Sequence, residues 1–203
     1  MIGIISDIHG NLHGLNLVLD ELSKQNCADI ICLGDLVDGG EYNAEVIDRI
    51  ISLQISCVRG NHDEINSAQL DGKRQSWLNS LPDEIINNDI CYTHISPRLK
   101  RKRKINTGAE AWNVFDETNH RLVFVGHTHI TAVFMDSRNT IGSSVELKIR
   151  HNAFFDLGPN NRYVISPGAV GYSRDNRKTI RYGLFDSKNN QLSLCELDGP
   201  TIQ

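Results

Sequence analysis

An α/β (α+β) sandwich, two β-sheets packed face to face with helices outside, is the fold class this chain predicts. Three observations carry it. The first half alternates short Ile- and Val-rich runs with amphipathic helical segments, a βαβα pattern. The second half changes to short runs divided by Gly, Asn, Asp and Ser turns, which reads as a β-meander. Hydrophobic side chains make up 39% of the 203 residues, enough to bury one sizeable core in a single domain spanning 1–203. Packing the two kinds of strand against each other buries both.

In chain order, Met1–Ser6 is the first strand. A helix follows over Asn11–Gln25, with Leu12, Leu15, Val18, Leu19 and Leu22 on one face. Asp29–Leu33 is the second strand, and the spacing of Val46, Ile47, Ile50 and Leu53 marks the second helix. Ile55–Val58 and Ile90–Thr93 are strands. Ala109–Thr118 is a helix around Trp112 and Phe115, which with Trp77 are assigned to the core, and Leu122–Val125 closes the first half. Thr131–Met135, Val145–Ile149, Tyr163–Ile165, Thr179–Phe185 and Gln191–Glu196 form the meander.

Several classes are excluded or disfavoured. Recurring apolar runs rule out low-hydrophobicity disorder, and none approaches the ~20 residues of a membrane-spanning helix. Met1 enters directly into an apolar strand, so no secretory signal is expected. The five cysteines form no CxxC pair and lie mostly in apolar runs, as buried thiols of a reducing, cytoplasmic protein do. With 21 basic and 25 acidic residues the net charge is −4. That balance gives little support to nucleic acid as a partner other than as substrate. The one basic run, from Arg98 through Lys100 and Arg101 to Lys104, reads either as a solvated loop or as a recruiter of polyanions.

The chemistry-bearing residues share a context. Asp7-Ile8-His9, Gly34-Asp35-Leu36-Val37-Asp38, Gly60-Asn61-His62-Asp63, Thr93-His94 and Gly126-His127-Thr128-His129 each follow an apolar strand. In open α/β sheets, ligand sites form where the carboxyl ends of strands converge. Each piece alone is weak. Together they supply seven carboxylate, amide and imidazole ligand candidates, too many for one tetrahedral zinc and suited to two metals sharing a bridge. His13, His120 and His151 read as surface residues. Asp63 reads equally as a local cap and as a substrate contact, and Arg174 is a candidate phosphate contact.

These blocks, in this order, resemble the calcineurin-like metallophosphoesterase superfamily, whose pattern is D-x-H, G-D-x-x-D, G-N-H-[DE], H and G-H-x-H. The likeness spans Asp7 to His129 and continues through Ser166-Pro167-Gly168-Ala169-Val170-Gly171. It implies a four-layer β-sandwich flanked by helices. One metal would be held by Asp7, His9 and His129, the other by Asn61, His94 and His127, and Asp35 would bridge them. Hydrolysis of a phosphodiester or phosphomonoester would proceed by attack of a hydroxide bridging the two divalent ions. His62 would act as general acid, oriented by Asp38. Mixed oxygen and nitrogen ligands suit Mn²⁺, with Fe, Co, Ni or Zn as alternatives. The substrate would be a small phosphate ester, a nucleotide among the candidates.

Within the superfamily, the protein phosphatases and dinucleoside-tetraphosphatases carry G-D-x-V-D-R-G and G-N-H-E, whereas this chain has Gly39 and Asp63. The absent Arg would be a bidentate phosphate clamp. The chain is therefore more similar to the small prokaryotic phosphodiesterases and phosphatases. A dinucleoside-polyphosphate or protein phosphatase stays as an alternative, as does a catalytically silent scaffold for protein partners. Against the scaffold, His62 and all seven ligand positions are intact.

Overall fold

The computed structural model describes residues 1–98, 103–137, 140–175 and 177–202. In chain order the elements are β1 (Ile2–Ile5), α1 (Leu12–Lys24), β2 (Asp29–Cys32), α2 (Asn43–Ser52), β3 (Ser56–Cys57), the single turn α3 (Asn61–Glu64), α4 (Gly72–Ser80), β4 (Glu84–Asn87), β5 (Ile90–Thr93), α5 (Gly108–Glu117), β6 (Leu122–Val125), β7 (Thr131–Met135), β8 (Val145–Glu146), β9 (Phe154–Asp156), β10 (Tyr163–Pro167), β11 (Thr179–Asp186) and β12 (Gln191–Asp198).

Two mixed six-stranded sheets result, ordered β3-β2-β1-β11-β12-β9 and β4-β5-β6-β10-β7-β8. Each sheet draws strands from both halves of the chain, so the second half is not a meander. Among the described residues, only β7–β8 and β11–β12 are sequential antiparallel pairs there. Strand β10 instead inserts between β6, to which it runs parallel, and β7. Parallel strands need crossovers, so adjacent short runs cannot all pair in sequence.

Alternation within single strands shows the layers. In β1, Ile5 faces a cluster with Leu15, Val18 and Leu22 of α1 and Ile47 and Ile50 of α2, while Ile4 faces Phe124, Ile165 and Phe185 between the sheets. In β6, Leu122 and Phe124 point into that same central layer, and Val123 and Val125 pack under Ala111, Val114 and Phe115 of α5. The order is therefore helix, sheet, sheet, helix. Every β6 side chain is buried, as expected for a strand covered on both faces. Each fully buried Leu or Ile contributes roughly 1.5–3 kcal/mol relative to exposure.

This topology positions the candidate site. Strands β1, β2 and β3 run parallel in one sheet, and β5, β6 and β10 run parallel in the other. Their carboxyl ends release the loops holding Asp7–His9, Asp35, Asn61, His94, His127 and the 168–175 segment. Among the described residues no helix is long and apolar enough to cross a membrane.

Candidate active site

The loops make tight turns at the strand ends. Asp7, His9, Asp35, Asp38, His127 and His129 all take left-handed backbone, with φ from 50° to 73°. Such values are uncommon outside glycine, although Asn, Asp and His tolerate them best. Of the other described non-glycine residues in that region, four are Asn and one is Gln. Glycine is required at two neighbouring positions. A Cβ on Gly60 would collide with the Asp35 amide and carboxylate, and one on Gly126 would collide with the Ser6 hydroxyl.

The side chains converge into two linked groups. In the first, His129 Nε2 lies 3.2 Å from Asp7 Oδ1 and 3.2 Å from His9 Nε2. In the second, Asn61 Oδ1 lies 2.7 Å from His127 Nδ1 and 3.1 Å from His94 Nε2. Asp35 Oδ2 joins them, 3.1 Å from His94 Nε2 and 3.7 Å from His9 Nε2. All seven predicted ligands thus meet in one place.

Backbone carbonyls set the ring tautomers. His9 Nδ1 lies 3.1 Å from both the Val37 and Asp38 oxygens, His94 Nδ1 2.7 Å from Leu33 O, and His129 Nδ1 3.0 Å from Tyr172 O. With the Nδ1 protons donated there, Nε2 is the nitrogen that each of the three rings turns inward, a donor to the carboxylates while the ring is protonated and a lone pair once it is neutral. With both rings neutral, His9 and His129 face each other as two acceptors beside a carboxylate. An all-acceptor cluster of this kind fits divalent cations of the N/O-ligating type. Among the described residues, three groups of titratable side chains have ligand atoms within 4.8 Å of one another: Asp7, His9 and His129; His9, Asp35 and His62; and Asp35, His94 and His127.

Electrostatics follow from burial and pairing. Burial pushes the Asp7 carboxyl up, but the His129 hydrogen bond and the charges of His94 and His129 outweigh it and hold Asp7 well below the usual carboxylate range. Burial likewise opposes ionisation of Asp35, and His94 overcomes it. Burial lowers His9 and His127. It would lower His94 too, but the Asp35 hydrogen bond lifts that ring to about 9.

His62 Nδ1 lies 2.8 Å from Asp38 Oδ2, and Asp38 Oδ1 accepts from Ser67 Oγ at 2.6 Å. The Ser67 bond and then His62 hold the Asp38 carboxyl below its ordinary range. The His62 amide donates to Asp35 Oδ1 at 2.8 Å, tying the candidate acid to the carboxylate that joins the two groups.

Asp63 is not a substrate contact. It is fully buried, and its carboxylate accepts the amides of Gly60 (2.8 Å), Leu36 (2.8 Å) and Asp35 (2.9 Å). It therefore fastens the β2 loop to the β3 loop, and burial pushes its carboxyl up to about 6. Arg98 is also corrected. Its guanidinium is largely covered and paired with Glu117 at 2.6 Å, which anchors the loop to α5 rather than offering a cation to a ligand. Lys100 and Arg101 lie outside the described residues. Arg174 is exposed and reaches the centre through backbone, its Nη1 3.4 Å from His127 O. His13 is exposed, and His151 lies 3.9 Å from Glu196.

The Ser166–Gly171 segment braces the Asp7 loop: Val170 N donates to Ser6 O and Gly171 N to Asp7 O. Two further residues gave no sequence signal. The Tyr172 ring packs 4.3 Å from the His129 ring, and Arg181 is wholly buried, 3.0 Å from both Asp175 and Glu196.

A mixed sandwich whose parallel strand ends gather this donor set matches the metallophosphoesterase fold. The model of the calcineurin-like phosphoesterase superfamily domain matches residues 1–190, and the chain belongs to that superfamily. It is similar to a solved metallophosphoesterase from Sphaerobacter thermophilus, with a TM-score of 0.88 and 28% identity over 98% of this chain and 89% of that one. An uncharacterized protein of Methanocaldococcus jannaschii is 28% identical, covering 98% of this chain and 87% of the relative. A structure described as a novel archaeal phosphodiesterase shares the fold at a TM-score of 0.57 and 18% identity, over 97% and 99% of the two chains. Family and site together support a metal-dependent phosphoesterase.

Proposed function

We propose that the chain, as one domain in a reducing cytoplasm, hydrolyses a small phosphodiester or phosphomonoester by direct attack of water. Asp7, His9 and His129 would hold one divalent cation, Asn61, His94 and His127 a second, with Asp35 shared and Mn²⁺ the preferred ion. The observation that carries this reading is the shared position of Asp35 Oδ2 between the His9 and His94 nitrogens. Bound there, the cations would lower the pKa of coordinated water and offset charge on the phosphoryl oxygens.

The chain's own residues do the rest. Two carboxylates against two divalent cations leave a positive surplus that attracts a phosphate anion, and a neutral amide at Asn61 preserves it. His62 has Nδ1 committed to Asp38, so Nε2 is the nitrogen left to protonate the departing oxygen. A positioned acid of this kind contributes ~10²–10⁴-fold.

The test is hydrolysis of bis(p-nitrophenyl) phosphate and p-nitrophenyl phosphate by metal-stripped protein with Mn²⁺ restored, alongside elemental analysis. Asp35→Ala should lose both metal and turnover. His62→Ala should keep its metal and lose turnover by the factor above. Full metal content in Asp35→Ala, or no turnover of either ester by loaded wild-type protein, would overturn the proposal.

A further inference from the structure

A cavity of about 430 Å³ opens beside the centre, lined by apolar Tyr172 and Ile202 together with the cations Arg174, Arg177 and Lys178. That volume lies within the range of small-molecule sites. It shares a wall with the ligand loops. The Tyr172 carbonyl accepts from His129 Nδ1, its ring lies 5.7 Å from that of His9, and Arg174 reaches the His127 carbonyl.

The charge around it is arranged for an anion. Arg174, Arg177 and Lys178 are all exposed. Among the described residues neither Arg174 nor Lys178 has a carboxylate partner within 4.0 Å, and Arg177 pairs with Glu196 alone, at 3.3 Å. Among the described residues, the nearby carboxylates of Asp175 and Glu196 are already engaged by buried Arg181. That hidden cation offsets the negative charge that would otherwise oppose a ligand. The Arg174 guanidinium sits 5.7 Å over the Tyr172 ring, which holds it against the cavity. Cations backed by an aromatic and an aliphatic wall suit a phosphate attached to a carbon skeleton.

We propose that this pocket binds a second phosphate of the substrate, so that the site takes phosphoesters bearing another phosphate beside the one cleaved, as in a nucleoside polyphosphate. The substrate claim rests on the hydrolytic reading above, and the binding claim does not. The experiment is calorimetric titration of metal-free protein with ADP and, as the phosphate-free control, adenosine. Wild-type protein should bind ADP at least ~10-fold more tightly than adenosine, the effect of one or more charge-assisted hydrogen bonds. The double variant R177Q/K178Q should weaken ADP by about tenfold or more, and R177K/K178R, which keeps both charges, should restore it. Equal affinity for ADP and adenosine, or unchanged ADP affinity in R177Q/K178Q, would overturn the pocket whatever the protein hydrolyses. Tight ADP binding that needs Arg177 and Lys178, with no turnover of bis(p-nitrophenyl) phosphate, would support the pocket and count against hydrolysis alone.

Discussion

Replacing Asp63 by Ala removes the carboxylate that joins the β2 and β3 loops. Three backbone amides, of Asp35, Leu36 and Gly60, lose their acceptor in a place with no solvent access. A buried donor left unpaired costs ~1–3 kcal/mol, so three should cost about 3–6 kcal/mol once loop relaxation and water entry are allowed. That is a large share of the ~5–15 kcal/mol that holds a typical domain folded. The conservative Asp63→Asn change should cost less. Oδ2 serves two amides and Oδ1 one, so an amide oxygen at the first place keeps two bonds and sets an NH₂ against Leu36 N. Urea unfolding of metal-free protein reads both losses. Metal titration adds a second readout, because the same amide bond holds the backbone of Asp35; affinity should fall ~10–100-fold in Asp63→Ala. An Asp63→Ala protein within ~1 kcal/mol of wild type, with unchanged metal affinity, would refute the idea that this carboxylate organises the centre.

Arg181→Met leaves Asp175 and Glu196 without their common cation and should cost about 2–4 kcal/mol by urea unfolding, with Asp175→Asn and Glu196→Gln together recovering most of it. Asp175 itself titrates below the ordinary carboxylate range, because Ser173 and Arg181 outweigh the opposing push of burial. Its contribution is therefore present above about pH 4 and lost as pH falls through the lowered folded value, so Asp175→Asn should flatten the acid limb of the stability profile. Mn²⁺ at a hundred times its dissociation constant should add ~2.7 kcal/mol, a rise in Tm of about 5–10 °C for a chain this size, abolished by a chelator. A thermal scan insensitive to both would mean that no cation is held.

Much of the centre was legible because its ligand types sit immediately after strands, and parallel strands bring their ends to one rim. The seven candidate donors are read from those positions, whereas the roles of His62 and Asp38 came from the family resemblance. What escaped depends on contacts distant in sequence. Asp63 acts on amides 27 and 28 residues away, and nothing around it in the chain shows that Leu36 N points at it. Arg98 looked like part of a free cationic run because its partner, Glu117, arrives from α5. Strand β4, Glu84–Asn87, is a largely exposed edge without apolar alternation, and α4 buries only Leu78, so neither carries a periodic signal. The meander expectation failed at β10, whose neighbours β6 and β7 are chosen by packing between sheets rather than by turn chemistry.

The left-handed turns also restrict the alphabet available at the centre. With φ between 50° and 73° at six positions, a β-carbon costs ~1–2 kcal/mol unless the residue is Gly, or Asn, Asp or His with a local hydrogen bond. Cation chemistry independently asks for Asp, Asn and His, so backbone and ligand demands select the same few residues. Alanine scanning there confounds two losses, the donor atom and the turn. Glycine separates them: in metal-free protein His129→Gly should be more stable than His129→Ala by about 1 kcal/mol, although both lose the imidazole. Repeated at Asp7, His9 and His127, that difference would measure directly how much folding energy the chain commits to aiming its candidate ligands.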